Sequence, residues 1–417
     1  MTDARLRHGR ASLALSFFVQ GVAFALLVTR IPAIQDRYGI SDGLLPLFLA
    51  AVPVLAGVGS VATGRLVARR PPASVLRWSQ PVVLLSLPAL GAGTEMWQAA
   101  LTLGVFGLAV GALDASMNML GVSLQQAYGR SIILGFHAAY SLGGILGASL
   151  AWAAAYGDVP LVLSYLPVVL VLLPAALLGS RWYVGAGDPA SGDPASGGGE
   201  EPRGRGAAVP FGALLPLCMV MAFAYIGDST VSNWSAKYLQ DVLGSSEELA
   251  TVPYNAYMVT TLLGRAVGDL GVRRLGAVTV VRCGTLLAAG GFAVVAVAPG
   301  PWTGLAGFTL LGLGLCVIVP QTFAAAGRRA VESGGPGAGN AAVARLNVFN
   351  YVGFLIGAPL VGGLGDAWNY RGAMLVPMVL VLVTWRYARS FESEPDRYGV
   401  GHERPRTVDV GRGGDEV

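Results

Sequence analysis

The chain has 417 residues, of which 54% are hydrophobic and only 12% charged, with a mean hydropathy of +0.60. Soluble proteins of this size carry about 45–50% apolar and about 25% charged residues. Too little polar surface is left to face water all round, which excludes an ordinary soluble fold. The net charge of +4 is no sign of nucleic-acid binding, because the basic residues sit in short groups between apolar stretches.

A bilayer-spanning helix takes roughly 20 mostly apolar residues, and such stretches recur throughout the chain. After an N-terminal tail (1–10), spans are expected at 11–33, 41–67, 73–93, 96–124, 131–156 and 159–181. The stretch 182–208 includes GAGDPASGDPASGGGEEPRGRG, with GDPAS twice in tandem. Its glycine, proline and serine cannot bury enough surface to fold, so it reads as a flexible linker. A second set of spans is expected at 209–239, 248–270, 275–298, 302–326, 337–365 and 370–389, then a polar, disordered tail at 390–417. The fold class is therefore an all-α polytopic membrane protein of twelve helices in two bundles of six, 11–181 and 209–389. No cleavable leader is expected, since the first span runs into RIPAIQDRYG rather than a small-residue cleavage site.

Of the 28 Lys and Arg, all but Arg30, Arg37, Lys237 and Arg371 fall on the side of the N-terminus in this layout. By the positive-inside rule both termini are cytoplasmic, in a bacterial inner membrane. Cys218, Cys283 and Cys316 all lie in apolar stretches, without metal-ligand spacing. They are expected to be packing residues, with no metal and no cofactor.

The two sets of spans share motifs in the same order. QDRYGIS answers QDVLGSS; GRLVARR at Gly64 answers GRAVGDLGVRR at Gly264; YSLGGILG answers NYVGFLIG. This is the pattern of an internal duplication. RIPAIQDRYGIS, GALDASMNMLGVSLQQAYGR, GFHAAYSLGG and NWSAKYLQDVLG resemble the signature stretches of major facilitator transporters, in the MosC-like branch of proposed rhizopine transporters. The fourth span also resembles that of fucose–proton symporters, where an acid four places before an asparagine serves proton and sugar; Asp114 and Asn118 match that spacing. The resemblance implies two lobes that rock about a central site. The chain departs from the superfamily pattern in its motif after the second span, where Ala68 stands in place of the acid. In the second copy Arg273 takes the aspartate position, with Asp269 one turn back as a substitute.

Asp114 is the one ionisable side chain between Trp97 and Leu124. An ionised aspartate at a helix centre costs about 2.5–3.5 kcal/mol on insertion scales. Steps of three and four residues place Gly104, Gly107, Gly111, Asp114, Asn118, Gly121 and Gln125 on one small and polar stripe, facing the bundle interior. A low dielectric favours a neutral acid, so Asp114 is expected to respond to protons; the alternative is a structural ion pair with a membrane arginine. His137, the only histidine in a span, shares a face with Tyr140 and Ser141; it either meets solute or proton, or simply bonds a neighbouring helix.

By the repeat, Val319 and Phe323 stand opposite Asp114 and Asn118, and Asn347 opposite His137. Asn347, Asn350 and Tyr351, with Gln20 and Gln321, suit the hydroxyls of a sugar or cyclitol; interhelical hydrogen bonds are the plainer use. Asp228 is expected as a second titrating acid or as the outer-gate partner of Arg30. Arg65, Arg265 and Asp269 are expected at an inner gate between the lobes, or else as solvated interfacial charge.

The expected activity is secondary transport, proton-coupled, of a small polar solute by a monomer in the bilayer. Efflux of a drug or natural product is the main alternative, favoured by a more aromatic cavity. A membrane enzyme on lipid-linked substrates is a minor one, as no nucleophile–base or metal constellation stands near an interface. No Walker-type loop supports an ATP-driven pump.

Overall fold

The structure, a computed structural model, describes residues 2–41, 44–184, 210–250, 252–334 and 338–392. The expected linker therefore lies outside the described residues except for 182–184, and the expected tail except for 390–392. Seven helices precede the linker: α1 (Thr2–Thr29), α2 (Ile31–Tyr38), α3 (Leu45–Leu66), α4 (Pro72–Ala92), α5 (Met96–Tyr128), α6 (Ile133–Tyr156) and α7 (Leu161–Gly179). Nine follow: α8 (Phe211–Lys237), α9 (Glu247–Ala250), α10 (Val252–Leu275), α11 (Ala277–Val297), α12 (Pro301–Leu315), α13 (Ile318–Gly334), α14 (Ala338–Ala367), α15 (Tyr370–Ala373) and α16 (Leu375–Tyr387). No strand occurs among the described residues.

Helix occupies most of the described residues of the expected spans, and nine helical stretches among them are long and apolar enough to cross a membrane. The others fall short for visible reasons. The apolar part of α3 is the short run Ala50–Leu66. α4 carries Arg77 and Gln80, and α10 carries Arg265, Asp269, Arg273 and Arg274. Large apolar side chains such as Leu170, Val171, Leu263 and Val267 are exposed on the outside of the bundle. That is the surface acyl chains would cover.

Three expectations need correcting. Residues 2–10 are not a separate tail but the first turns of α1. The expected tenth span is broken after Leu315, where Pro320 has no N–H to offer the Cys316 carbonyl, and it runs on to Gly334. Cys218 and Cys316 are buried, but Cys283 is exposed and does not pack in the core.

Within the first half of the chain α1 packs on α6, and α5 on α3 and α4; within the second, α8 packs on α14, and α11 on α12 and α16. Glycines allow the close approaches. A methyl on Gly111 would strike the Ala56 carbonyl of α3, and one on Gly143 the Phe18 carbonyl of α1. Small residues are the usual means of membrane helix contact, since lipid gives no hydrophobic drive for it. The first half meets the second chiefly where α14 lies on α3 and α10 on α6.

Candidate functional site

α5 starts on a reciprocal cap between Glu95 and Gln98 and ends on Gly129 at φ 62°, which fixes its register through the core. That register brings Asp114 inward, half-buried. Asn118 Nδ2 donates to the Asp114 backbone oxygen at 2.9 Å and leans on Oδ1 at 3.4 Å. Gln20 Nε2 of α1 reaches Oδ1 at 3.5 Å. From the other half, Tyr351 Oη of α14 donates to Oδ2 at 3.0 Å, and Asn350 Nδ2 stands at 3.4 Å. One carboxylate thus collects donors from three helices and both halves of the chain. No arginine is hydrogen-bonded to it among the described residues, so the anticipated structural ion pair is not present.

The stripe on α5 divides its work. Gly107 and Gly111 pack against α3, while Gln125 Oε1 accepts from the backbone N–H of Ile132 and Ile133 at 3.0 and 3.1 Å. Only Asp114 and Asn118 face the centre.

Four of the expected polar residues have buried side-chain atoms without a hydrogen-bond partner. They are Asn118 Oδ1, His137 Nε2, Gln321 Nε2 and Asn347 Nδ2. Buried polar groups are rarely left this way, which makes these four candidates for contact with a bound solute. The His137 ring is held between Phe17, at 5.2 Å, and Phe323, at 6.3 Å, so the residue opposite Asn118 in the repeat serves as its stacking partner.

The sequence reading named Tyr140 and Tyr351 but missed Tyr225, Tyr254 and Tyr257, which stand with them. Tyr257 of α10 donates to Asp228 Oδ1, and Tyr254 stacks on Tyr257 at 6.3 Å. Tyr225, Tyr140 and Tyr351 fall within the electrostatic reach of Asp114 or of both carboxylates. Spacing held a signal for this: Tyr225 with Asp228, and Tyr254 with Tyr257, are i,i+3 pairs on single helix faces.

Several expected charges are placed differently from the sequence reading. Arg30 is buried and donates from Nη2 to the Val159 carbonyl at 2.9 Å, so it is not paired with Asp228. Arg265 lies part-way along α10, donating from Nη1 to Ser141 Oγ at 2.6 Å across the halves, and senses both Asp228 and His137. Asp269 lies nearer the end of the bundle that holds the termini. Its Oδ1 accepts from Ser131 Oγ at 2.6 Å and Leu134 N at 3.3 Å; its Oδ2 accepts from Gly135 N at 2.9 Å. It caps the start of α6 from the opposite half, where N–H groups and helix dipole both favour an anion. Arg65 joins neither contact.

The hydrogen bonds from Ser60, Arg265 and Asp269 and those to Asp114 join the halves at the level of Asp114 and toward the termini.

The sequence pattern of the Major Facilitator Superfamily matches residues 217–407. The chain is 29% identical to an uncharacterised MFS-type transporter of Yersinia pestis, over 91% of this chain and 95% of that one. It is 27% identical to the membrane protein MosC of Rhizobium meliloti, over 87% and 85%. Among solved structures it superposes on the transporter FucP in the outward conformation with a TM-score of 0.73, covering 92% of this chain and 99% of FucP at 17% identity. The human organic anion transporter MFSD10 gives a TM-score of 0.75 at 14% identity, over 92% and 99%. These similarities support a transporter of the major facilitator type, and the apolar helices are those of a multi-pass membrane protein.

Proposed function

We propose that this chain is a proton-coupled secondary transporter of a small, hydroxyl-rich solute such as a sugar or cyclitol, working by alternating access between two six-helix lobes, 11–181 and 209–389. The observation that carries this reading is the placement of Asp114: a half-buried carboxylate, away from lipid, held by donors from both lobes. A proton on Asp114 removes the charge that attracts Tyr351 and Asn350, so protonation and lobe contact are linked. Solute hydroxyls are taken by Asn118, His137, Gln321 and Asn347, whose free polar atoms line the chamber, with Gln20, Tyr140, Asn350 and Tyr351 at its edge. Arg265 and Asp269 close the termini side, Asp228 and Arg30 serve the opposite mouth, and Arg65 lies behind the closed seam. With the termini facing the cytoplasm of a bacterial cell, the seam held by Asp269 serves as the cytoplasmic gate and solute enters from the opposite side. FucP, a fucose:proton symporter, and XylE, a proton:xylose symporter, share the fold and support the solute class by analogy.

The test is uptake by the purified protein in liposomes, with an imposed pH gradient, against a panel of sugars, cyclitols and drugs. Asp114→Asn should reduce gradient-driven accumulation by at least about tenfold while leaving downhill exchange of the same solute. Full accumulation by that variant would remove Asp114 from the coupling step. Efflux of an aromatic or drug-like compound is a second reading, favoured by Tyr140, Tyr225, Tyr254, Tyr257 and Tyr351 around the chamber. In inside-out vesicles it would show as drug accumulation with no response to polyols.

A further inference from the structure

Away from the central chamber, at the end of the bundle that holds the termini, an open groove of about 420 Å³ lies between α1 and the end of α5. It is lined by Arg7, Arg10, Ala11, Ala14, Tyr128 and Arg130. Arg10 and Arg130 both stand over the Tyr128 ring, with their guanidinium carbons 5.9 and 5.7 Å from its centroid. The Tyr128 hydroxyl is buried and has no hydrogen-bond partner. No carboxylate lines the groove among the described residues.

Two guanidinium groups over one aromatic ring, with Arg7 beside them in the groove, repel one another, and stacking on the ring offsets only part of that. A hydroxyl without an acceptor adds a second unmet need at the same place. Both are met by a group with negative charge and several acceptor oxygens, which is the description of a phosphate ester. The alanines on the α1 wall leave the groove open beside the small side chains of a membrane helix. Basic pockets where helices leave the bilayer are suited to anionic headgroups.

We propose that this groove binds the phosphate of an anionic phospholipid, with Arg10 and Arg130 as its charged ligands and Tyr128 as its hydroxyl donor. Occupancy also bears on the closed seam. Arg130 adjoins Ser131, which donates to Asp269, and Arg10 Nη2 and Asp269 Oδ2 both lie beside Gly135. A headgroup here holds Gly129–Ser131 in the position from which Ser131 reaches Asp269, so the bound lipid steadies the lobes at the termini side. This role stands whichever solute is carried.

The purified protein is titrated in detergent with short-chain phosphatidylglycerol, short-chain phosphatidylcholine or inorganic phosphate, reading thermal stability and apparent Kd. Phosphatidylglycerol should raise the melting temperature in a saturable way, with phosphatidylcholine at least about tenfold weaker. Arg10→Gln with Arg130→Gln should weaken phosphatidylglycerol by roughly tenfold or more. Tyr128→Phe, which keeps the ring and only removes the donor, should weaken it about threefold, and serves if the double variant does not fold. Equal response to the two lipids, or phosphatidylglycerol affinity unchanged in both variants, overturns the site. Inorganic phosphate matching phosphatidylglycerol at equal concentration overturns the lipid as the source of the anion.

Discussion

The two crossings between the halves, α10 on α6 and α14 on α3, hold corresponding places in the internal repeat but are made of different chemistry. At the first, the Asp269 carboxylate caps the start of α6 and takes a hydroxyl as well, while Gly268 packs on Leu134. At the second, Gly64 faces the Ala344 methyl and Ser60 donates to the Ala344 carbonyl at 3.2 Å. The motif position that would supply an acid there is Ala68. Duplication has kept the geometry of the seam in both places and the charge in only one. Charge-assisted bonds to amide N–H groups are directional and are lost together when water replaces them. A glycine–alanine contact has no such threshold. The energy that holds the termini side closed should therefore be concentrated at Asp269.

Removing that carboxylate is the sharpest way to break the comparison. Asp269→Ala leaves Leu134 N and Gly135 N without their acceptor, at a cost of about 1.5–3 kcal/mol for bonds to a charged group. A shift of that size moves a two-state equilibrium by roughly tenfold to a hundredfold. Spin labels at Gln126→Cys and Glu332→Cys, exposed positions at the termini end of opposite halves, should report a larger separated population once the native cysteines are replaced. An unchanged distance distribution would mean that the charge at this seam is ornamental.

The uncharged seam should respond to bulk instead. A methyl on Gly64 would come within 3.0 Å of the Ala344 Cβ, and Gly64→Val adds two more carbons to that contact. Overpacking of this kind costs about 1–3 kcal/mol, less the small helix-propensity gain from replacing glycine. The same labels should separate, by less than in Asp269→Ala. If Gly64→Val behaves as wild type, α3 and α14 are not in firm contact and the two seams differ more than stated.

How much of this was legible beforehand follows from what a sequence encodes. Hydropathy and charge placement are local properties, so the all-helical, membrane-spanning plan was readable, as was the inward face of Asp114. The direction of a side chain around the bundle, relative to helices a hundred residues away, is not local. That is why one of the two roles expected for Asp228 was a pairing with Arg30, which bonds Val159 instead, and why Ser141 was not foreseen as the partner of Arg265 across the lobes. Tyr225, Tyr254 and Tyr257 were passed over because aromatic residues in apolar spans look like core until a carboxylate is found beside them. The break after Leu315 was readable from Pro320 but outweighed by an unbroken apolar run.

The smallest effect is the most exacting test of the comparison. Ser60 and Ser131 are both hydroxyl donors that cross between the halves, one to a carbonyl and one to a carboxylate. The Ala344 carbonyl lies inside α14 and already accepts its helical bond, so losing Ser60 leaves no acceptor bare. Hydrogen bonds between membrane helices average about 0.6 kcal/mol by double-mutant cycles, and Ser60→Ala should cost no more than that. Ser131→Ala removes a 2.6 Å bond to a charged oxygen and should cost about 1.5–3 kcal/mol. In thermal unfolding of the purified protein, the two alanine variants should therefore be clearly separated, with Ser131→Ala the less stable. Equal losses would show that the seams are energetically alike, and that the placement of charge at only one of them does not decide which contact governs closure.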